Sequence, residues 1–335
     1  MNLQKFLIIG SGAIAQKHIK TLRAITGPSV SITAVSRSQQ NLNSLLQKVG
    51  PPLLTQTDRQ FQPEFFRDHA AIIASPPGTH LNWIKLLAPH LNTIMVEKPA
   101  VTGSDEIASV DEILARHPQL RLMVAENYDF KPSLISLIKI RDSSQWGTLK
   151  KIHLRKELLQ KAEDWKANCS TLFEGGIHFV ALANSLAGSD PIAKSVEILD
   201  WRLNKSAVER GSKLRWTCAN GVEVNLAYGW DRFSPSFGIG QFSKLEFERG
   251  QIEFESNGLW IQGQGMNFND VSGSSAMIEE FVRVAAEKNL RSFQSSWSKA
   301  KKDLELVFEA YLRAGSRPLL SALAKSTERH ISNPA

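Results

Sequence analysis

The sequence predicts an α/β domain built on a doubly wound parallel sheet, followed by an α+β domain whose mostly antiparallel sheet is open on one face. Three observations carry that expectation. A short apolar run at the N-terminus, 6–9, enters Gly10-Ser11-Gly12-Ala13-Ile14-Ala15 and then an amphipathic segment. Short apolar runs alternate with helical segments as far as residue 125, the pattern of successive βα units. From residue 150 the runs become strand-like, and the turn signals Asn220-Gly221 and Arg249-Gly250 separate neighbouring pairs. The expected boundaries are 1–125 for the first domain, 126–318 for the second and 319–335 for a polar tail.

The chain has 335 residues, of which 42% are hydrophobic and 22% charged. That is ordinary for a globular protein and enough for two buried cores. The net charge is +7, but the basic residues are scattered and form no block of five or six. A solvated surface biased toward an anionic ligand is expected, with no nucleic-acid partner. Two isolated cysteines, Cys169 and Cys218, make neither a disulfide framework nor a metal site. No apolar run approaches the length of a membrane span, and the first strand starts by residue 5 without a leader's basic and cleavage regions. A cytoplasmic, reduced protein with no metal and no membrane partner is the expectation.

The run 6–9 suits one buried strand. In the turn that follows, Gly10 allows a tight bend and Gly12 lacks the Cβ that would keep a pyrophosphate off the backbone. Ala15 is small enough for close packing of helix on strand. Ile14, His18, Ile19 and Leu22 then recur at helical spacing. Strand, glycine turn and helix in immediate succession form the dinucleotide fingerprint, with the helix's first N–H groups and positive dipole end toward the phosphates. Gly10, Ser11, Gly12, Ala13 and Ile14 are therefore candidate cofactor contacts. The second strand, 30–35, ends in Ser36-Arg37-Ser38. About twenty residues past the turn, a site for NAD places an acid on the ribose 2′-OH. A guanidinium with flanking hydroxyls instead suits a 2′-phosphate. Ser36 and Arg37 thus point to NADP(H) over NAD(H), which stays possible.

A helix at 41–49 stops before Pro51-Pro52, Leu53-Leu54 suits a short strand, and 61–67 reads as an aromatic-bearing helix. The strand 69–74 leads into Ser75-Pro76-Pro77-Gly78-Thr79-His80, a stiff loop at a strand's carboxyl end. Ligands of open α/β sheets sit at that edge, so Ser75, Pro76 and His80 are candidate cofactor contacts. After a helix at 81–87, the strand 92–96 runs into Glu97-Lys98-Pro99. Glu97 and Lys98 then lie at the same edge. An ammonium there can donate to a substrate oxygen and stabilise charge developing on it, which makes Lys98 a catalytic candidate.

Taken in order, G-S-G-A-I-A, S-P-P-G-T-H and E-K-P resemble the glucose-fructose oxidoreductase, inositol dehydrogenase and rhizopine catabolism (Gfo/Idh/MocA) family. The likeness continues through a helix at 104–116 and a strand at 122–125. Asn127-Tyr128-Asp129-Phe130-Lys131-Pro132 then resembles the family's N-Y-R-F-x-P, with Asp129 where Arg is common. Trp146-Gly147-Thr148-Leu149 resembles the family's G-x-L-G-x-I passage into the second domain.

In the second half, Glu174 and His178 are four apart, and a helix would put both on one face. A carboxylate so close can orient an imidazole and raise its pKa toward working pH, as proton transfer needs. The stretch resembles the family's G-G-G-x-L-x-D-x-G-x-H-x-x-D. Glu174 falls on the first Asp, Gly176 on the Gly and His178 on the His thought to move the proton. Asn168-Cys169-Ser170 replaces the glycines, and Ala181 replaces the final Asp. Strand-like runs follow at 195–199, 213–218, 222–228, 243–248 and 251–255. Asn127, Tyr128, Trp165 and Trp230 are expected on the substrate side. Helices at 277–286 and 298–314 close the chain, the latter with a buried stripe of Leu304, Val307, Phe308 and Tyr311.

The resemblance implies an NAD(P)-dependent oxidoreductase moving a hydride between nicotinamide and a secondary alcohol or ketone of a sugar, cyclitol or related polyol. Lys98 would bind the reacting oxygen, His178 would carry its proton and Glu174 would orient His178. A homodimer or homotetramer through the second sheet is implied as well. The same scaffold serves reductases of C=N or conjugated systems, of imine or biliverdin type, and non-catalytic nucleotide-sensing regulators. Lys98 and His178 favour carbonyl chemistry, whereas Ala181 favours the sensor.

Overall fold

Six parallel strands make the first sheet: β1 Lys5–Ile9, β2 Ser31–Ser36, β3 Leu54–Thr57, β4 His69–Ile73, β5 Thr93–Val96 and β6 Arg121–Val124. Their order is β3-β2-β1-β4-β5-β6. Phe6–Ile9 and all of β5 are buried, as a sheet covered on both faces requires. The covering helices include α1 Ala13–Thr26, α2 Gln39–Val49, α3 His80–Leu87 and α4 Ser104–Arg116. The strand order reverses between β1 and β4, so the carboxyl ends of those two strands border the crevice where such sheets bind ligands.

The computed structural model describes residues 5–159, 169–231, 243–255, 258–261, 264–267, 273–287 and 292–319. Its contacts divide the chain into two units. One holds the described residues of Met1–Ala125 and Ser274–Trp297, the other those of Glu126–Gly273 and Ser298–Leu323. Apart from Leu319, the expected tail lies outside the described residues. No described helix is long and apolar enough to cross a membrane.

The second unit is built on β7 Leu149–Glu157, β8 Glu197–Leu203, β9 Glu209–Thr217, β10 Glu223–Gly229, β11 Ser243–Phe247, β12 Gly250–Glu255, β13 Gly258–Ile261 and β14 Gln264–Asn267. These form one sheet in the order β14-β13-β12-β11-β7-β10-β9-β8. Only the β7–β10 pair among them is parallel. Asn220-Gly221 connects β9 to β10, with Gly221 at φ +85°, a conformation that favours glycine. One face, including Ile152, Leu154, Trp216, Val224 and Leu226, is buried. Against it packs α6 Ile177–Ala187, preceded by the π-helical turn Leu172–Gly176, and α5 Pro132–Asp142 packs in turn on α6. The opposite face is ion-paired between strands. Lys151 meets Glu223 at 3.3 Å, His153 meets Glu246 at 3.2 Å and Arg215 meets Glu197 at 3.4 Å. The face expected to pair subunits is thus polar.

Two expectations change. The segment 61–67 forms only a 3-10 turn, Pro63–Phe66. Pro63 removes a backbone donor and Phe65 is 71% exposed, so no helical apolar stripe exists there. Residues 274–297, expected within the second domain, belong to the first unit. There α7 Ser274–Ala286 buries Met277, Ile278, Phe281 and Val284. The Phe281 ring lies 5.9 Å from that of Phe6, and Lys17 donates to the Ser274 hydroxyl at 2.8 Å. A periodic stripe announces a buried helix face but not which sheet it covers. The last helix, α8 Trp297–Arg313, follows.

Candidate active site

In the first unit the glycine turn ties three strand ends together. Gly10 donates its N–H to the Val35 carbonyl at 2.8 Å, and Ala74 donates to the Ile9 carbonyl at 2.8 Å. Gly10 adopts φ +127°, and a Cβ there would lie 2.5 Å from the Ala74 carbonyl oxygen. Only glycine fits that approach. The Ser11 hydroxyl lies 3.0 Å from that of Ser36 at the end of β2. Arg37, next in sequence, is exposed. The Ser38 hydroxyl is used to cap α2, accepting the Asn41 N–H at 3.4 Å.

The two loops after β4 and β5 are bracketed by His80. Its ring is fully buried, with Nε2 2.8 Å from the Ser75 carbonyl and Nδ1 3.0 Å from that of Pro99. Burial lowers its pKa, which disfavours the imidazolium that would donate to both carbonyls at once. His80 therefore acts as a strut between loops, although its position suggested a cofactor contact. Glu97 likewise turns inward. It meets His18 Nε2 at 2.6 Å, linking the end of β5 to the fingerprint helix. Burial opposes its charge, but the hydrogen bond and charge of His18, helped by Lys98, hold the carboxyl below its ordinary range. Lys98 is half-buried beside it.

In the second unit, His178 opens α6 and meets the carboxylate of Glu126. Its Nδ1 is 2.6 Å from Oε1 and 2.7 Å from Oε2. Glu126 immediately precedes the 3-10 turn Asn127–Phe130, and its Oε1 also accepts the Tyr128 N–H at 3.0 Å. The Tyr128 ring stacks on the imidazole, 4.8 Å between centroids and 14° between planes. Lys131 Nζ lies 4.2 Å from the Tyr128 centroid. The imidazole is thus held at its edge by a carboxylate and on its face by a phenol. Burial opposes the Glu126 charge, and the charge and hydrogen bond of His178, the Tyr128 N–H and Lys299 outweigh it. An ionised carboxylate only accepts, so Nδ1 carries the proton and Nε2 is the nitrogen that exchanges one with a ligand. Burial and the Glu126 charge push Tyr128 up to about 12, so it stays a phenol.

The carboxylate on His178 Nδ1 is Glu126, so the orienting role expected of Glu174 falls to a different residue. The π turn Leu172–Gly176 is the physical reason. Its wider winding removes the four-residue stacking of an α-helix. Glycines make the turn possible, because a Cβ on Gly175 would lie 2.1 Å from the Tyr228 hydroxyl. That hydroxyl accepts from Trp230 Nε1 at 3.1 Å. Trp230, expected on the substrate side, is buried beneath the Arg210 guanidinium at 5.4 Å. Asn127 and Tyr128 are half-buried beside His178's partner, whereas Trp165 lies outside the described residues.

Glu126 is the functional residue that sequence reasoning missed. A carboxylate directly after an apolar strand was its only signal, since its partner is 52 residues away.

Residues 4–126 match the family model of the Gfo/Idh/MocA oxidoreductases, described as an NAD-binding Rossmann fold. The first domain is similar to the Rossmann domain of that family. No curated protein sequence matches the chain. Solved structures share its fold over nearly all its length at low identity. An oxidoreductase from Agrobacterium radiobacter, in complex with NAD+, L-tartaric acid and magnesium, is 14% identical with a TM-score of 0.77, covering 97% of this chain and 100% of that one. The aldose-aldose oxidoreductase from Caulobacter crescentus, complexed with glycerol, is 16% identical with a TM-score of 0.75, covering 95% and 99%. A 3-ketoreductase from Actinomadura kijaniata, in complex with TDP-benzene and NADP, is 15% identical with a TM-score of 0.69, covering 94% and 98%. A Rossmann sheet followed by a mostly antiparallel one is the two-domain architecture of the Gfo/Idh/MocA fold.

The first domain fits a dinucleotide by its own geometry. Gly12 is the N-cap of α1, and a Cβ there would project into open space with nothing within 4 Å. No side chain caps α1 and no acidic residue stands in its first turn. The unsatisfied N–H groups and the positive end of the dipole therefore suit an anionic pyrophosphate.

Proposed function

We propose that the protein is an NADP(H)-preferring oxidoreductase acting on a secondary alcohol or ketone carbon of a sugar, cyclitol or related polyol. The observation that carries this reading is the His178–Glu126 pair, an imidazole fixed at Nδ1 by a buried carboxylate in a unit that accompanies a dinucleotide-binding domain. The dinucleotide, when bound, supplies or accepts the hydride at nicotinamide C4. Lys98 donates to the reacting oxygen and stabilises its developing negative charge. In the oxidative direction His178 Nε2 removes the hydroxyl proton as the carbon loses hydride; in reduction it returns that proton to the oxygen. Glu126 keeps the ring in the tautomer this requires and stabilises the imidazolium that forms. The pair also speaks against a purely nucleotide-sensing role, since sensing needs no oriented proton carrier.

The preference for NADP(H) rests on Arg37 and Ser36 at the end of β2. Arg37→Asp removes a guanidinium and puts a like charge against a 2′-phosphate. The ratio of kcat/KM for NADPH over NADH is expected to fall by roughly 10- to 100-fold, one charge-assisted contact's worth. Steady-state kinetics with both cofactors measures it, and an unchanged ratio would remove Arg37 from the site.

A further inference from the structure

A second buried charge cluster adjoins the turn that carries Glu126. Asp129, in the same 3-10 turn, is 2% exposed. Lys299 on α8 donates to both of its oxygens, at 2.5 and 2.7 Å, and the Ser185 hydroxyl donates to Oδ1 at 2.9 Å. One helical turn beyond Lys299, the buried Asp303 accepts from Asn184 Nδ2 at 2.6 Å. Asn184 accepts in turn from Trp216 Nε1 at 3.1 Å. His178 and Ser185 are seven apart on α6 and so share a face. That face meets Glu126 through His178 and Asp129 through Ser185.

We propose that Lys299 is a positioning residue for His178: by binding both oxygens of Asp129, in the turn that follows Glu126, its ammonium fastens that turn and holds the Glu126 carboxylate directed at the imidazole. The inference rests on the reading that His178 carries the substrate proton, and deepens it. Three carboxylates, Glu126, Asp129 and Asp303, share the ammonium of Lys299, and buried like charges cannot all stay ionised without a counter-charge. Asp303 yields: burial pushes its carboxyl up to about 7. Glu126 does not, because His178 and Lys299 hold it below its ordinary range.

The remaining charged groups around α6 are otherwise engaged. Arg141 on α5 donates to the Ser185 and Leu186 carbonyls at the far end of the helix. Glu157 at the end of β7 is bound by Arg155 and Arg202. Lys131 lies over the Tyr128 ring and Lys302 pairs with Asp190. Burial holds the hydroxyls of Tyr128 and Tyr228 neutral. Glu174 stands in the π turn ahead of His178, and its charge reaches Tyr228.

The test is an NMR titration of the His178 ring protons in the full-length protein, assigned by their loss in His178→Asn. Lys299→Met removes the tie that keeps the Glu126 carboxylate directed at the ring, so the imidazolium loses support and the midpoint is expected to fall by roughly half to one pH unit. Asp129→Asn leaves the ammonium without its clamping charge, so the midpoint is expected to fall by a similar amount. Lys299→Arg keeps the charge and should keep the wild-type midpoint. An ammonium that acted on the ring only through space would instead raise the midpoint when removed. An unmoved midpoint in Asp129→Asn, or an unmoved or raised one in a folded Lys299→Met, overturns the proposal; Asp129→Asn decides alone if the methionine variant does not fold. Full turnover by His178→Asn would instead overturn the reading of His178 and leave the titration to stand separately.

Discussion

His178→Asn is expected to lower kcat by roughly 10²- to 10⁴-fold, the range for loss of a positioned general acid–base. The amide fills much of the same volume and can still donate toward Glu126, but it cannot take a proton from an alcohol or return one to a ketone. Dinucleotide affinity should stay within a few-fold of wild type, because the fingerprint residues Gly10, Gly12 and Ser11 belong to the first unit and His178 to the second. Pre-steady-state and steady-state kinetics, with cofactor binding followed by fluorescence, separate the two effects. A variant with wild-type kcat would remove His178 from the chemistry.

Lys98→Ala is expected to cost roughly 10²- to 10³-fold in kcat, the loss that follows removal of one donor to a developing oxyanion. The charge, more than the bulk, carries this effect, so Lys98→Met should lose nearly as much. Glu97 would then lack its charged neighbour but would keep His18 at 2.6 Å, so the end of β5 should remain in place. Cofactor affinity retained together with lost turnover supports the assigned role. Lost affinity with turnover preserved at saturating dinucleotide would make Lys98 a cofactor ligand alone.

The first domain was legible because its signals are local. A four-residue apolar run, two glycines and a helical stripe lie within Phe6–Leu22, and the strand order follows from repeating that unit. The site was legible only in part, because its decisive contacts are distant in sequence. His18 reads as one more member of an apolar stripe, yet its partner Glu97 is 79 residues away. Glu174 reads as the natural partner of His178 at helical spacing. The π turn cancels that spacing, and the carboxylate arrives from the end of β6 instead. Trp230 reads as a candidate pocket wall although such tryptophans are more often core, and the Tyr228 hydroxyl and Gly175 decide for core. The helix α7 shows its buried stripe in the sequence, while the aromatic surface of β1 that it covers does not.

Asp129 and Ala181 depart from the family pattern quoted above, and the structure gives the first of them a partner. Asp129 is neutralised by Lys299 and held by Ser185, so the departure is accommodated within the fold. Nothing in the structure explains Ala181 beyond its burial.

Transfer of deuterium from NADPH labelled at nicotinamide C4, followed by mass spectrometry of the products from a panel of keto-sugars and ketocyclitols, tests the central claim most directly. The account predicts the label on the carbinol carbon of at least one product, and its disappearance in both Lys98→Ala and His178→Asn. Tight NADPH binding with no labelled product from any member of the panel would contradict it.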